Sequence, residues 1–445
     1  MKKCITSLVL LAACITLSSA QKQWTLQECI DYALTNNIQL KQNQISAASA
    51  EEDERASRAA LLPSLSASTN QSVTNRPFSQ STINLTNGTM TTSSNETNYN
   101  GNYGLNANWT VWNGGKNRKN VTRSRYLRQM ADLQTQETAN NIQEQITQLY
   151  VQILYLTEAV RVDSQIVKAS QLQLDRGREF LRVGSIAKVD VAQLEAQVAQ
   201  DQYALVSAQA QVANYKLQLK QLLELHGEED FDVAVPTVGD NTVLAPVPTK
   251  KAIYEAALSL RPEVESDRLN IEASNLEVDI AKAGYQPTVS MNAGIGTNNG
   301  SGMKNDFGTQ LKNNWSNSVG VTVSIPILDN RQTKSAVNKA KLAVENSQLQ
   351  LQNTQKQLYS EIENYWLQAT SAQQQYRAAQ AQVKSAQASY DLVSEQFKQQ
   401  LKNIVELTNG KNDLLQAQQN LLQCKYTALF NLAMLRFYQG EQVRL

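Results

Sequence analysis

From Lys116 to His226 the chain contains no proline and only two glycines, Gly177 and Gly184. From Leu328 to Gln439 it again has no proline and one glycine, Gly410. A chain reverses direction through glycine, proline and their polar companions, so stretches this poor in them admit only very long elements. Apolar residues recur every seven positions in the first stretch, at Ile146, Ile153, Val160, Val167, Leu174 and Leu181. The second repeats this at Ile362, Ala369, Tyr376, Val383, Tyr390 and Phe397. The segment from Val191 to Leu222 steps by three and four through Leu194, Val198, Asp201, Leu205, Ala208, Val212, Tyr215 and Leu219, with Asp201 its one charged break. A sustained 3.5-residue repeat predicts coiled-coil packing. A helix of about 65 residues runs about 100 Å.

These stretches are two copies of one unit. Ala33-Leu34 recurs as Ala257-Leu258 and Pro63 as Pro287, 224 positions on; Gly104, Val111, Ile146 and Tyr150 recur as Gly320, Ile327, Ile362 and Trp366, 216 positions on. A single eight-residue length difference between Pro63 and Gly104 reconciles the two offsets, which marks a tandem duplication. The expected organisation is a leader over 1–20, a first repeat over 21–226, a connector over 227–249 and a second repeat over 250–445. Each repeat reads as a helix, two strands and two very long helices. The strands are expected near 64–74, 99–112, 287–297 and 317–327, and the long helices near 116–182, 188–225, 331–398 and 404–438. The connector is rich in turn residues and reads as irregular, with the lone His226 at its edge as a helix-end or surface residue. Thr69–Asn102 and Asn298–Trp315, polar and long, read as loops.

The strands alternate in polarity. Tyr103, Leu105, Ala107, Trp109 and Val111 oppose Gly104, Asn106, Asn108 and Thr110; Val319, Val321, Val323, Ile325 and Ile327 oppose Ser318, Gly320, Thr322, Ser324 and Pro326. A period of two with one apolar face suits a sheet on a core and equally a membrane barrel with its apolar face outward. Four strands cannot close a barrel alone, and an open sheet edge is not tolerated in lipid, so a barrel requires several copies related by symmetry. On that reading Tyr103, Leu105, Trp109, Val321, Val323 and Ile325 face lipid.

The composition closes off other classes. Forty-one basic against 40 acidic residues leave no basic field for nucleic acid. A mean hydropathy of −0.42 excludes a polytopic helical membrane protein. No nucleophile, acid–base pair or metal cluster is recognisable, so neither an enzyme nor a cofactor is expected. Lys2 and Lys3, the apolar run Ile5–Leu17 and Ser18-Ser19-Ala20 read as an export signal. Leu11-Ala12-Ala13-Cys14 also fits a lipoprotein cleavage box with lipid on Cys14, but the apolar run before it is short. Cys29 and Cys424, repeat mates of Ile253 and Ala208, read as small buried apolar residues rather than as a disulfide framework.

Several ordered strings resemble the TolC-type outer-membrane efflux proteins over nearly the whole exported chain. They are Trp24–Asn37, Leu62-Pro63-Ser64-Leu65, Val111-Trp112-Asn113-Gly114-Gly115, Val183–Val191 and Ile325-Pro326-Ile327-Leu328-Asp329. The resemblance implies a mainly α fold with a β-barrel part. It implies a homotrimer with a twelve-stranded transmembrane barrel in outer-membrane lipid, continued by a periplasmic coiled-coil tunnel. It implies docking onto a periplasmic adaptor and an inner-membrane pump, with passive export of small molecules or proteins. Carried over residue by residue, the pore constriction falls on Glu406 and Asn409, the second an amide where the family carries an acid. A pair restraining the gate falls on Asp190 and Lys402. The adaptor-docking tips fall on Val183, Gly184, Ser185 and Ile186 and on Leu401 and Asn403. The second tip reads Gln399-Gln400-Leu401 where the first reads Val183-Gly184-Ser185, so without its glycine it is expected to turn differently. The competing class is a secreted coiled-coil structural or adhesion protein with a small β-sandwich.

Overall fold

The structure is a computed structural model that describes residues 23–85, 88–225, 231–236, 239–301 and 305–445, with the backbone alone over 79–95. The leader, Cys14 and His226 lie outside the described residues. In order, the elements are β1 (Gln23–Trp24), α1 (Leu26–Asn36), α2 (Ile38–Ala59), β2 (Ser64–Leu85), β3 (Gly88–Asn113), α3 (Lys116–Arg182) and α4 (Lys188–Leu222). The second half continues with β4 (Asp232–Val233), α5 (Asp240–Val243), α6 (Lys250–Leu260), α7 (Pro262–Lys282), β5 (Thr288–Gly300), α8 (Phe307–Asn313), β6 (Ser316–Ser324), α9 (Gln332–Lys398) and α10 (Ile404–Tyr438).

The duplication is reproduced to the residue. Helices α3 and α9 both have 67 residues, and α4 and α10 both have 35. Every boundary of the second pair lies 216 positions after its counterpart. Helices α1 and α6 both have 11 residues and are offset by 224. The extra eight residues sit in the β2–β3 hairpin. Thr69–Asn102, expected as a loop, forms the outer part of that hairpin, with β2 paired to β3 from Ser64↔Asn108 to Leu85↔Gly88 and one irregularity between Arg76 and Ser79. Threonine favours strands and the preference against asparagine is context-dependent, and here each rung supplies the backbone partners. The second polar stretch is likewise not all loop, since α8 forms within it under an Asp306 cap that accepts from Thr309 N.

The chain divides into two compact units, and these are not the repeats. One unit comprises the described residues up to Ile45, Leu133–Glu265 and Leu351–Leu445; the other comprises Ser46–Asp132 and Ser266–Gln350. Each draws on both repeats.

The second unit holds a four-stranded antiparallel sheet in the order β2-β3-β5-β6. Its register aligns the two polarities across all four strands. Leu65, Ala107, Ala293 and Val319 form one rung, and Trp109, Met291 and Val321 another. On the opposite face Ser66, Asn106, Gly294 and Ser318 are level, as are Ser64, Asn108, Asn292 and Gly320. No charged residue occurs in β5 or β6, or in the parts of β2 and β3 alongside them; the first charges outward are the cross-strand neighbours Arg76 and Glu96. Val321, Val323, Leu105 and Trp109 are solvent-exposed in the single chain, and Trp109 donates its indole N–H to the Leu61 carbonyl at 2.9 Å. Ile325 lies beyond β6, which ends at Ser324, one residue before it. Ion pairs Arg123–Glu277 at 3.0 Å and Arg128–Glu54 at 3.6 Å join the helices of this unit.

The first unit is helical and buries three apolar clusters. One, built on Ile142, Ile146, Tyr150, Ile153 and Met434, receives the start of the chain. Thr25 caps α1 reciprocally with Glu28, and each backbone N–H meets the other side chain. The connector, expected as irregular, is tied to this core. Its β4 pairs in parallel with β1, and the Tyr150 hydroxyl bonds the Trp24 and Ala234 carbonyls at 3.1 and 2.6 Å. The repeat mate of Tyr150 makes the equivalent tie: Trp366 donates to the Pro248 carbonyl at 3.1 Å. Cys29 is fully buried here and Cys424 half-buried.

Along α9 the expected seam is buried at Ile362, Ala369, Tyr376 and Phe397, with Leu358, Ala372 and Ala379 beside it, while Val383 and Tyr390 are half-buried. Along α3 the seam shifts. Val160 and Val167 are only half-buried, and the buried line passes through Asp163, Ile166, Ser170, Gln173 and Gly177. Helix α3 meets α9 as well as α4 and α10, through Gln173–Tyr390 and Phe180–Phe397, so its buried face turns away from a single apolar stripe. Replacing Ile362, 1% exposed, with alanine is expected to cost about 2–5 kcal/mol, and Val167→Ala much less. Thermal or denaturant unfolding of the two variants measures the difference.

Candidate pore constriction and helix tips

The second long-helix pair turns over at Gln399–Asn403. Asn403 caps α10, accepting from Glu406 N at 2.9 Å, and Glu406 returns a carboxylate to Asn403 N at 3.3 Å. Lys402 donates to the other Glu406 oxygen at 2.5 Å. The bond from Lys402, then the Asn403 N–H, hold the Glu406 carboxyl below its ordinary value. Asn409 is exposed one turn along the same helix.

Asp190 and Lys402 are not joined within the chain. Asp190 accepts from Ala187 N at 3.1 Å and so closes the start of α4, while Lys402 is engaged by Glu406. Both border one cleft between the two turns, together with Phe180, Phe397 and Gln400. Val183 and Leu401 are exposed on the turns, and Ile186 is half-buried.

The glycine-less tip does not turn differently. Gly184 has φ +74° and Gln400, its repeat mate, φ +61°. The hydrogen bonds match: Gly184 N to Leu181 O and Ser185 N to Phe180 O in the first, Gln400 N to Phe397 O and Leu401 N to Gln396 O in the second. Both are helix ends closed by a left-handed residue. A Cβ at Gly184 meets nothing within 4 Å, so the cost of a side chain there is conformational rather than steric.

Sequence reasoning noted Asp201 as a charged break but missed its partner. Asp201 is 7% exposed and Lys411 1% exposed, and they form an ion pair at 2.6 Å. Ser170 donates to the same Asp201 oxygen at 2.5 Å and accepts from Lys411 at 3.2 Å; Gln197 donates to the other oxygen at 2.8 Å. Burial pushes the Lys411 ammonium down from its ordinary value, and Asp201 pulls it back. A lysine placed two residues after Asn409, in step with Ile404, Leu407 and Leu414, was the available signal. Along the same helix Lys425 reaches Glu158 at 3.1 Å.

Among the described residues no helix is long and apolar enough to cross a membrane, and no group of side chains is arranged to hold a metal ion. The family model described as outer membrane efflux protein matches residues 29–224 and again residues 253–441, once in each repeat. The chain belongs to the outer membrane efflux protein family. Among curated relatives, the outer membrane efflux protein BepC of Brucella suis is 22% identical over 342 residues, covering 76% of this chain and 68% of BepC. The solved structure of CusC, which forms a transmembrane channel, superposes with a TM-score of 0.79 at 16% identity, covering 94% of this chain and 92% of CusC. The Campylobacter jejuni CmeC outer membrane channel superposes with a TM-score of 0.77 at 19% identity, covering 94% and 87%. The fold is thus that of the outer-membrane channels, mainly α with a smaller sheet.

Two outcomes are expected. Gln400→Gly should stabilise the protein by about 0.5–1 kcal/mol, because glycine enters the left-handed region freely; melting curves test it. Because its folded pKa is lowered, the Glu406 carboxylate should stay ionised below pH 4.5, the ordinary value. Any stability it contributes is present above that value and lost as pH falls through the folded one. Lys402→Met should raise its titration midpoint, read by NMR of the side-chain carboxyl.

Proposed function

We propose that this outer-membrane efflux protein works as a trimeric exit duct, each copy supplying four strands to a shared barrel and two helical hairpins to a periplasmic tunnel. The observation that carries the reading is the sheet. It has one apolar face and, alongside β5 and β6, one polar face without charged residues, and β2 and β6 each pair on one side only. A face of that kind fits lipid, and open edges in lipid require strands from another copy. Membership of the efflux family supports three copies, a periplasmic adaptor and an inner-membrane pump as the working assembly.

In this reading the aligned Ser, Asn and Gly face lines the barrel pore and leaves it without charge alongside β5 and β6. Discrimination then belongs to Glu406 and Asn409, which in three copies surround the axis. Three carboxylates favour cations, and the amide at 409 leaves one carboxylate per copy rather than two. Lys402 tempers that charge and keeps Glu406 ionised. The exposed tips, Val183, Gly184, Ser185 and Ile186 with Leu401 and Asn403, are the surface offered to the adaptor. Asp190 and Lys402 flank the cleft between the tips and stand where a contact from another copy or from the adaptor can engage them. Export through the duct is passive, with the pump supplying energy and choosing cargo.

Sizing of the detergent-purified protein with bilayer recording tests the reading: a trimer with sodium conductance supports it, and a monomer without conductance overturns it. A secreted coiled-coil protein would wash from membranes with carbonate. Val321→Arg, on the apolar face, should lower the amount assembled in outer membranes, at a cost of about 2–4 kcal/mol. Thr322→Arg, on the polar face, should assemble and alter conductance. Glu406→Gln should shift the reversal potential away from cation preference in salt gradients.

A further inference from the structure

The long helices that leave the sheet begin with bases alone. The first acidic residues of α3 and α9 are Asp132 and Glu345; before them α3 carries six basic residues and α9 three. Some of these bind neighbouring helices. Lys119 reaches Asp279 at 3.6 Å, Arg123 reaches Glu277 at 3.0 Å and Arg128 reaches Glu54 at 3.6 Å. Arg118, Arg125, Lys334 and Lys341 are exposed, and among the described residues none of the four has an ion-pair partner.

These four are one pair repeated. Arg118 and Arg125 recur as Lys334 and Lys341, 216 positions on, whereas Lys116, Lys119 and Arg128 recur as Gln332, Ser335 and Val344. A spacing of seven is about two turns, so each pair shares one helix face. On α3 that face lies between two occupied sides. Ser124 Oγ meets Ser57 Oγ of α2 at 2.7 Å on one, and Lys119 and Arg123 meet α7 on the other. On α9, Ser347 lies beside Ser274 at 3.1 Å and marks the side turned to α7.

The hand of the chain decides which way the basic face looks. The Tyr99 carbonyl accepts from Ser301 N at 2.9 Å, so β3 residues with side chains on the apolar face turn their backbone groups toward β5. For L-residues this puts β5 to the left of β3, seen from the apolar side with the helices below. The helices follow in the same order, α2, α3, α7 and α9. A right-handed helix descending with α2 on its right and α7 on its left turns Arg118 and Arg125 to the apolar side of the sheet, and Lys116 to the polar side. The apolar face ends at Trp112 on β3 and at Ile327 and Leu328 after β6, all exposed. Arg118 and Lys334 lie in the first turn of their helices, and Arg125 and Lys341 about 10 Å further on. A headgroup layer is about 5–8 Å deep, and charges stay effective over about 8 Å beyond it at physiological ionic strength.

We propose that Arg118, Arg125, Lys334 and Lys341 form a basic belt that binds the phosphates of anionic phospholipids, in the leaflet on the helix side of the barrel. Guanidinium groups pair with phosphate through two N–H donors. The long stems of both residue types lie along the wall while their charges rise to the headgroups. The belt fixes the depth at which the barrel rests. The inference rests on the reading of the sheet as part of a barrel in lipid.

Quenching of tryptophan fluorescence by brominated lipids tests it, with Trp109 and Trp112 near the belt. The full-length protein is reconstituted in phosphatidylcholine, and brominated phosphatidylglycerol is compared with brominated phosphatidylcholine. The wild type should prefer phosphatidylglycerol, and less so at high ionic strength. R118Q/R125Q and K334Q/K341Q should each lower the preference about fivefold, and Lys116→Gln should leave it unchanged. Equal quenching by the two lipids, or a wild-type preference that ignores ionic strength, overturns the belt without any variant. So does a preference unchanged in both double variants, or lowered as far by Lys116→Gln. A wild type without the preference but retained on peptidoglycan, with retention lost in the double variants, overturns the lipid as partner. Quenching by neither lipid removes the barrel reading itself, and this inference with it.

Discussion

Everything in this molecule depends on burying a narrow stripe along helices whose other faces are polar. Glutamine, alanine and asparagine dominate those outer faces, so a single long helix gains little from its own sequence. Its stability comes from pairing side by side along a 3.5-residue seam. Antiparallel return at a tight turn supplies the nearest partner, and the second repeat supplies the next. The tips at Gly184 and Gln400 are therefore not incidental ends. They set the register from which every buried position in α3, α4, α9 and α10 follows.

The elements were largely legible because the signals were strong: missing proline, sparse glycine, seven-residue spacing and a duplication that checks each boundary against another. Residues outside such patterns were harder. The polar hairpin beyond Thr69 was hidden because serine and asparagine read as turn residues, although a ladder with the next strand along accommodates them. Val160 and Val167 pointed to a seam that α3 leaves, since apolar spacing reports one neighbour and α3 has several. Gln400 shows the same limit at a turn: the hydrogen-bond frame imposes a left-handed backbone whether or not glycine is present, at a conformational cost the other contacts offset.

The candidate site divides along similar lines. Glu406 was found through a resemblance in a helix start, and its surroundings add a physical role, since the cap and Lys402 keep it charged. The pairing of Asp201 with Lys411 joins residues 210 positions apart, on helices whose mutual register no local pattern encodes. A buried lysine looks like any other lysine in a chain with 41 basic residues. Only its place in step with Ile404, Leu407 and Leu414 distinguishes it.

The equality of the helix lengths, 67 with 67 and 35 with 35, has a consequence for how such a protein can change. One residue added to any long helix turns everything beyond it by about 100° and takes the seam off its partner. Growth must come in units of about seven, in outgoing and returning helices alike, and in both repeats at once. Reach is therefore quantised, and the interior forbids small adjustments. The β2–β3 hairpin obeys no such rule: it has already absorbed eight residues that its counterpart lacks. Gradual variation in length is confined to the strand hairpins, and the long helices can vary only in side chains.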